Sequence, residues 1–196
     1  TPDQTLAAAT NRTTANNGDI VMVKPGHAET VSSAGALDAF DVAGVTYIGL
    51  GAGTAQPTIT LDTATTADID IGAANVTIDN FHLIANFADI AVIFDVNATD
   101  FTLRNSRFTQ SGDNLNAKVC VQDAAAAASD RITVENCNAV MYDAANTHFI
   151  NFAGTGTGHK IVGNVLHGDW GTMCIGGAGV ITFCEIMGNS IGNLAT

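Results

Sequence analysis

The sequence predicts an all-β fold, a right-handed parallel β-helix of roughly six to seven coils with a short capping helix at its N-terminus. Three observations lead there. A pattern of apolar residue, Thr, apolar residue, variable residue and turn residue recurs, as in Val76-Thr77-Ile78-Asp79-Asn80, Phe101-Thr102-Leu103-Arg104-Asn105 and Ile132-Thr133-Val134-Glu135-Asn136. Its copies are spaced unequally, at about 25 to 31 residues, which suits a solenoid whose loops lengthen on one side without disturbing the rungs. Glycine and other turn residues gather between the copies.

Residues 1–18 are expected to form a cap and residues 19–196 the β-helix, as one domain. Pro2 followed by Gln4-Thr5-Leu6-Ala7-Ala8-Ala9 predicts a short helix closing the first coil. A cap is a physical need, because a terminal coil offers unpaired backbone groups and an apolar face to other chains. In each rung, apolar and polar residues alternate, so positions one and three face inward. Stacking then forms two inner columns. Val45, Val76, Phe101 and Ile132 make one; Tyr47, Ile78, Leu103, Val134, Val162 and Met187 make the other. The turn residues Asn80, Asn105, Asn136, Asn164 and Asn189 read as a structural ladder, since Asn tolerates left-handed backbone and bonds along a stack.

A second strand per coil is expected at Ala67–Ile71, Ala91–Val96, Lys118–Val121, His148–Phe152 and Thr172–Ile175. The segments Gly51–Thr54, Ser111–Asn114 and Gly154–Gly158 read as loops. After Ile191 comes Gly192-Asn193-Leu194-Ala195-Thr196 without a cap-like pattern, so another subunit or further polypeptide is expected over that end.

Gly18-Asp19-Ile20-Val21-Met22-Val23-Lys24-Pro25-Gly26-His27 after a short helix resembles the first coil of the pectin-lyase-like superfamily, and the Val-Thr-Ile-Asp-Asn rungs add to the likeness. The resemblance runs over residues 1 to 193. It implies the β-helix fold, and it leaves function open among polysaccharide lyases and hydrolases, epimerases, phage tailspikes and non-catalytic virion proteins.

Composition narrows the partners. With 46% hydrophobic residues, 13% charged and a mean hydropathy of +0.23, disorder is not expected. The alanine run Ala124–Ala128 falls far below the ~20 apolar residues of a membrane-spanning helix, so no membrane partner is expected. A net charge of -12 with seven Lys+Arg opposes nucleic acid and other polyanions. Calcium bridging acid to acid would be the exception, and only in a lyase. Cys120, Cys137, Cys174 and Cys184 form no CxxC pair and read as buried free thiols.

The weak catalytic candidates are Asp68, Asp70 and Asp95, which would cluster on an outer face as a glycosidase requires. Polygalacturonase-like members of the superfamily carry Asn-Thr-Asp, Asp-Asp, Gly-His-Gly and Arg-Ile-Lys motifs. This chain has no Asp-Asp pair, and Gly158-His159-Lys160 is its nearest approach to the third. A lyase-type base would come from Arg12, Arg104, Arg107, Arg131, Lys24, Lys118 or Lys160, yet Arg104 between Asp79 and Glu135 reads as an ion-pair ladder. His27, His82, His148, His159 and His167 show no ligand spacing, so no metal site and no cofactor are expected. Trp170 reads as packing, with sugar stacking as the alternative. The Thr46, Thr77, Thr102, Thr133 column does not make an ice-binding face, because Ile48, Asp79, Arg104 and Glu135 lie beside it.

These features point to a non-catalytic structural or adhesive β-helix protein, a phage virion component such as a capsid decoration or cement protein or a tail-fibre module. It would act as a homotrimer or with other virion proteins, in a virion or extracellular setting. A polysaccharide lyase or glycoside hydrolase, and a carbohydrate-binding domain, are the alternatives. An enzyme should show a groove lined by two carboxylates, a virion protein an apolar stripe over several coils.

Overall fold

A computed structural model describes residues 2–37, 39–123 and 129–193. Thr1 of the expected cap, the run Ala124–Ala128 and the end Leu194–Thr196 lie outside the described residues. The chain is an all-β parallel solenoid of about 6 turns with a single short N-terminal helix. No described helix is long and apolar enough to cross a membrane.

Each full coil carries three strands rather than the expected two. The first sheet stacks Ile20–Val23, Thr46–Gly49, Thr77–Asp79, Thr102–Arg104, Thr133–Glu135, Lys160–Val162 and Glu185–Met187. The second stacks Ala28–Val31, Thr58–Leu61, His82–Ala85, Arg107–Gln110, Asn138–Met141, Val165–Gly168 and Ser190–Asn193. The third stacks Ile69–Ile71, Ile90–Val96, Ala117–Asp123, His148–Phe152 and Ile175–Gly176. Gly154–Gly158, read as a loop, contains the strand Thr155–Thr157, which pairs with Val180–Thr182. The second sheet is not legible in the sequence because most of its strands follow the turn within two or three residues and mix His, Arg and Asn into their outer positions.

Strand register makes the inner columns. Tyr47, Ile78, Leu103 and Val134 are successive partners, and each is fully buried. Val45, Val76, Phe101 and Ile132 lie one column over, also buried. Two expected members are corrected: Val134 pairs with Ile161, and Ile161 with Ile186. Val162 and Met187 instead continue the outer column of Glu135. In a strand, a shift of one residue moves a side chain to the opposite face. Aromatic rings fill the interior between columns: Phe94 meets Phe101 at 6.0 Å and Phe108 at 6.2 Å between centroids, and Phe108 meets Phe149 at 5.3 Å.

The cause of that slip lies in the turns. Asn80, Asn105 and Asn136 hold left-handed backbone with φ of 65°, 53° and 53°, and Gly163 and Gly188, at 69° and 64°, take the same place in the next two rungs. Asn164 and Asn189 stand one residue further on, in an inner polar row. There Asn164 Nδ2 donates to Val134 O at 3.0 Å and to Asn189 Oδ1 at 2.9 Å, and Asn189 Nδ2 donates to Ile161 O at 2.7 Å. The expected single ladder is therefore two sets. In the outer set, Asn80 Nδ2 donates to Gly49 O at 2.7 Å and Asn105 Nδ2 to Asp79 Oδ1 at 2.7 Å. A second left-handed position precedes each of these rungs, at Gly44, Asn75, Asp100, Arg131, Gly158 and Phe183. Its varied residue types hid it from the sequence.

The two ends differ. Helix Leu6–Thr10 starts at Thr5, whose Oγ1 accepts from Ala8 N at 3.1 Å, and it buries Leu6 and Thr10 against the first coils. Thr10 Oγ1 and Tyr47 Oη share a hydrogen bond of 2.9 Å. Glu29, paired in register with Ile59, ends the second sheet's inner column with a carboxylate that accepts from Leu6 N and from His27 Nε2, at 2.5 and 2.7 Å. The last described members of the columns, Ile186 and Ile191, are 50% and 52% exposed, while their partners Ile161 and Leu166 are fully buried.

The corrected register separates two truncations. Leu103→Ala should cost about 2 to 4 kcal/mol by opening a cavity between rungs, whereas Val162→Ala should cost under about 1 kcal/mol. Denaturant unfolding of the two variants measures both, and equal losses would contradict the register.

Candidate functional site

The third sheet places Asp70 and Asp95 as register partners and continues the row with Gln122, Asn151 and Gly176. Neighbouring rungs lie about 4.8 Å apart, so two carboxylates share one outer row with Asp68 beside them. The sequence-predicted trio is thus brought together. Burial raises the Asp68 pKa, with Asp70 and then Asp95 adding to it while a hydrogen bond from Gly35 opposes. Burial also raises Asp95, helped by Asp70 and Asp123 and opposed by hydrogen bonds from Gln122 and Asn97.

The same row limits what these acids can do. Asn151 Nδ2 donates to Gln122 Oε1 at 2.8 Å, and Gln122 Nε2 reaches Asp95 Oδ1 at 3.5 Å. Asp95 is the end of an amide ladder along the stack. Among the described residues no group of three His, Cys, Asp or Glu side chains is arranged to hold a metal ion.

A separate open groove of about 490 Å³ lies on the outer face of the first sheet. Thr77, Thr102 and Thr133 form its floor with Lys160, and Asn75, Asp100, Arg131 and Gly158 edge it. Its one carboxylate, Asp100, is held by Arg131 through Nε at 2.6 Å and Nη2 at 2.8 Å. That pairing holds Asp100 below its ordinary pKa. A second cleft, of about 430 Å³, runs between the helix and the strand Ile20–Val23, and contains Arg12, Lys24 and His27.

Most cations are tied to acids. Arg104 Nε meets Asp79 Oδ2 at 2.9 Å, so the expected ladder forms on its Asp79 side with Glu135 next in the column. Arg12 pairs with Asp3 and Lys118 with Asp89, at 2.9 and 3.8 Å. The histidines are scattered over the coils. His82 shares a hydrogen bond with Thr109 Oγ1, and burial, with Arg107 nearby, lowers its pKa to about 4. His159 is fully buried, because it continues the inner column of Ile132 at the next rung. Trp170 packs on Phe149 at 6.3 Å and is buried. All four cysteines are free thiols. Cys120, Cys137 and Cys174 are buried, but Cys184, in the last described rung, is exposed rather than buried as expected.

Comparison with known families, with curated proteins and with solved structures found no match to this chain.

The raised carboxyl pKa values carry a sign. Asp68 and Asp95 hold their protons more tightly folded than unfolded, where the ordinary value of 3.8 applies. Both therefore reduce stability above the raised folded value, and the penalty is relieved as pH falls from there towards 3.8. Asp95→Asn should raise the unfolding temperature at neutral pH, and the gain should shrink as the pH approaches the ordinary carboxylate value. Thermal unfolding across that range reads both, and a neutral-pH loss would show a carboxylate that its neighbours stabilise.

Proposed function

We propose that the chain is a non-catalytic structural or adhesive β-helix that works within an assembly, as a phage virion component such as a capsid decoration or cement protein or a tail-fibre module. The observation that carries this reading is an apolar group on the flank of the solenoid: on the outer face of the second sheet, Val140 and Tyr142 of one coil stand beside Val165 of the next, and all three are exposed. Exposed apolar side chains gathered over neighbouring coils favour contact with another polypeptide, in a homotrimer or with other virion proteins, in a virion or extracellular setting. The rung pattern's resemblance to the pectin-lyase-like superfamily, which includes virion proteins, supports the same reading.

Carbohydrate recognition is the second reading, favoured by the groove of about 490 Å³ with its three threonine hydroxyls, Asn75 and Lys160. A polysaccharide lyase or hydrolase would rely on Asp70 and Asp95, whose neighbouring rungs approach the ~5 Å carboxylate separation of a retaining glycosidase. Those acids belong to a different sheet from the groove, and Asp95 is engaged by Gln122. Calcium enters only under the lyase alternative.

Light scattering coupled to size exclusion tests the assembly. The wild type should be a trimer or larger and unchanged by EDTA, and Val140→Asp with Val165→Asp should reduce it to a folded monomer. A wild-type monomer would contradict the homotrimer, and one altered by EDTA would contradict the structural reading and turn attention to Asp68, Asp70 and Asp95.

A further inference from the structure

Several outer rows of the solenoid bond their polar side chains from rung to rung: Arg104 Nε donates to Asp79, Asn86 Nδ2 to Asp62, and Asn151 Nδ2 to Gln122. The row Thr77, Thr102, Thr133 and Lys160 on the first sheet differs. Its successive members are register partners, so the four side chains stand at rung spacing over ~14 Å. Their three hydroxyls, the Lys160 ammonium and the neighbouring Asn75 amide make no hydrogen bond or ion pair with another described residue. Here a polar row is left uncommitted to the fold.

All five residues line the one open groove of about 490 Å³, which lies within the size range of small-ligand sites. On one side of the floor Arg131 holds Asp100 through two hydrogen bonds, so these two charges satisfy each other. Gly158 follows Arg131 on that side, and a Cβ added there would meet only Arg131 Cγ within 4 Å, so the groove stays open at this end. On the other side lie Asp79, Arg104 and Glu135, two residues along each strand from the threonines and therefore on the same face. Asp79 is paired with Arg104. The groove thus offers hydroxyls, an amide and one unpaired ammonium rather than a field of one sign, on a chain whose net charge of -12 repels polyanions.

We propose that this groove binds an uncharged glycan chain laid along the solenoid axis, with sugar hydroxyls on Thr77, Thr102 and Thr133, the Asn75 amide at one end and the Lys160 ammonium at the other. The proposal rests on the carbohydrate-binding reading of the groove and adds the ligand's class and direction. Each threonine hydroxyl both donates and accepts, the amide does so through separate atoms, and the ammonium only donates. A sugar hydroxyl matches all of them, because it too donates and accepts. A polyanion would find a single unpaired cation. Hydroxyls repeated at even spacing suit a polymer of repeating units better than a compact ligand. None of the residues lining the groove is aromatic, so hydrogen bonds rather than ring stacking carry the binding, which is accordingly weak.

Amide and threonine-methyl NMR of the wild-type chain, titrated with cellohexaose, mannohexaose and xylohexaose and separately with hexagalacturonate, tests the site. At least one neutral hexaose at millimolar concentration should shift the Thr77, Thr102 and Thr133 methyls together, and the shift should persist at high salt. Thr102→Val with Thr133→Val keeps side-chain shape and β-propensity while removing two hydroxyls. It should weaken binding about tenfold at an unchanged unfolding temperature, and full affinity in that variant would overturn the proposal. Shifts elsewhere with silent groove threonines would overturn this site and leave carbohydrate recognition standing, whereas no shift with any hexaose would overturn both. Shifts with hexagalacturonate alone, lost at high salt, would show an anion site at Lys160 and contradict the uncharged ligand.

Discussion

The whole structure depends on parallel stacking in register, in which each rung is at once the hydrogen-bond partner and the lid of the rung before it. Tyr47, Ile78, Leu103, Val134 and Ile161 are fully buried because a neighbour stands above each one. A residue enters the core by its place in a column rather than by its distance along the chain. The same constraint explains why the last described members of the columns, Ile186 and Ile191, are exposed although they are as apolar as those beneath. At the opposite end a helix and the inward Glu29 close the stack, which is one way natural sheets blunt an open edge.

Stacking also governs the polar residues. Any polar type repeated at one position of successive rungs meets its own kind at rung spacing, so acids are either alternated with partners or spread out. Asp79 takes Arg104, Asp100 takes Arg131, and Asp95 leads into Gln122 and Asn151. Asp62, Asn86 and Ser111 form a further row in which Asn86 Nδ2 donates to Asp62 Oδ2 at 3.1 Å. Side chains that suggest chemistry in the bare sequence are thus largely committed to holding coils together. Asp70 beside Asp95 is the exception, with two acids left in neighbouring positions.

The fold was legible in the sequence because the Thr-centred rung survives in several copies, and alternation within it states which residues face inward. Its limit came where Asn ceased to mark the turn. Gly163 and Gly188 adopt the left-handed turn that Asn136 holds one rung earlier, and the nearby Asn164 and Asn189 drew the alignment one residue along. Val162 and Met187 were placed in the core by that slip. The second sheet was invisible for a different reason: its strands are four residues long, and their outer positions mix Thr, His, Arg and Val without a repeated type. Of the candidate site, the grouping of Asp68, Asp70 and Asp95 followed from spacing alone. Burial of His159 did not, since only the register shows that it occupies an apolar column.

Amide hydrogen exchange of the wild-type chain, diluted until it is monomeric, tests the dependence of each rung on the next most directly. Protection should be greatest in Thr102–Arg104 and Thr133–Glu135 and should fall through Lys160–Val162 to its lowest in Glu185–Met187 and Ser190–Asn193, with the helix-covered strand Ile20–Val23 better protected than those last two. Protection as high in the final rung as in the middle would contradict the account, because it would mean that a rung needs no successor to stay folded.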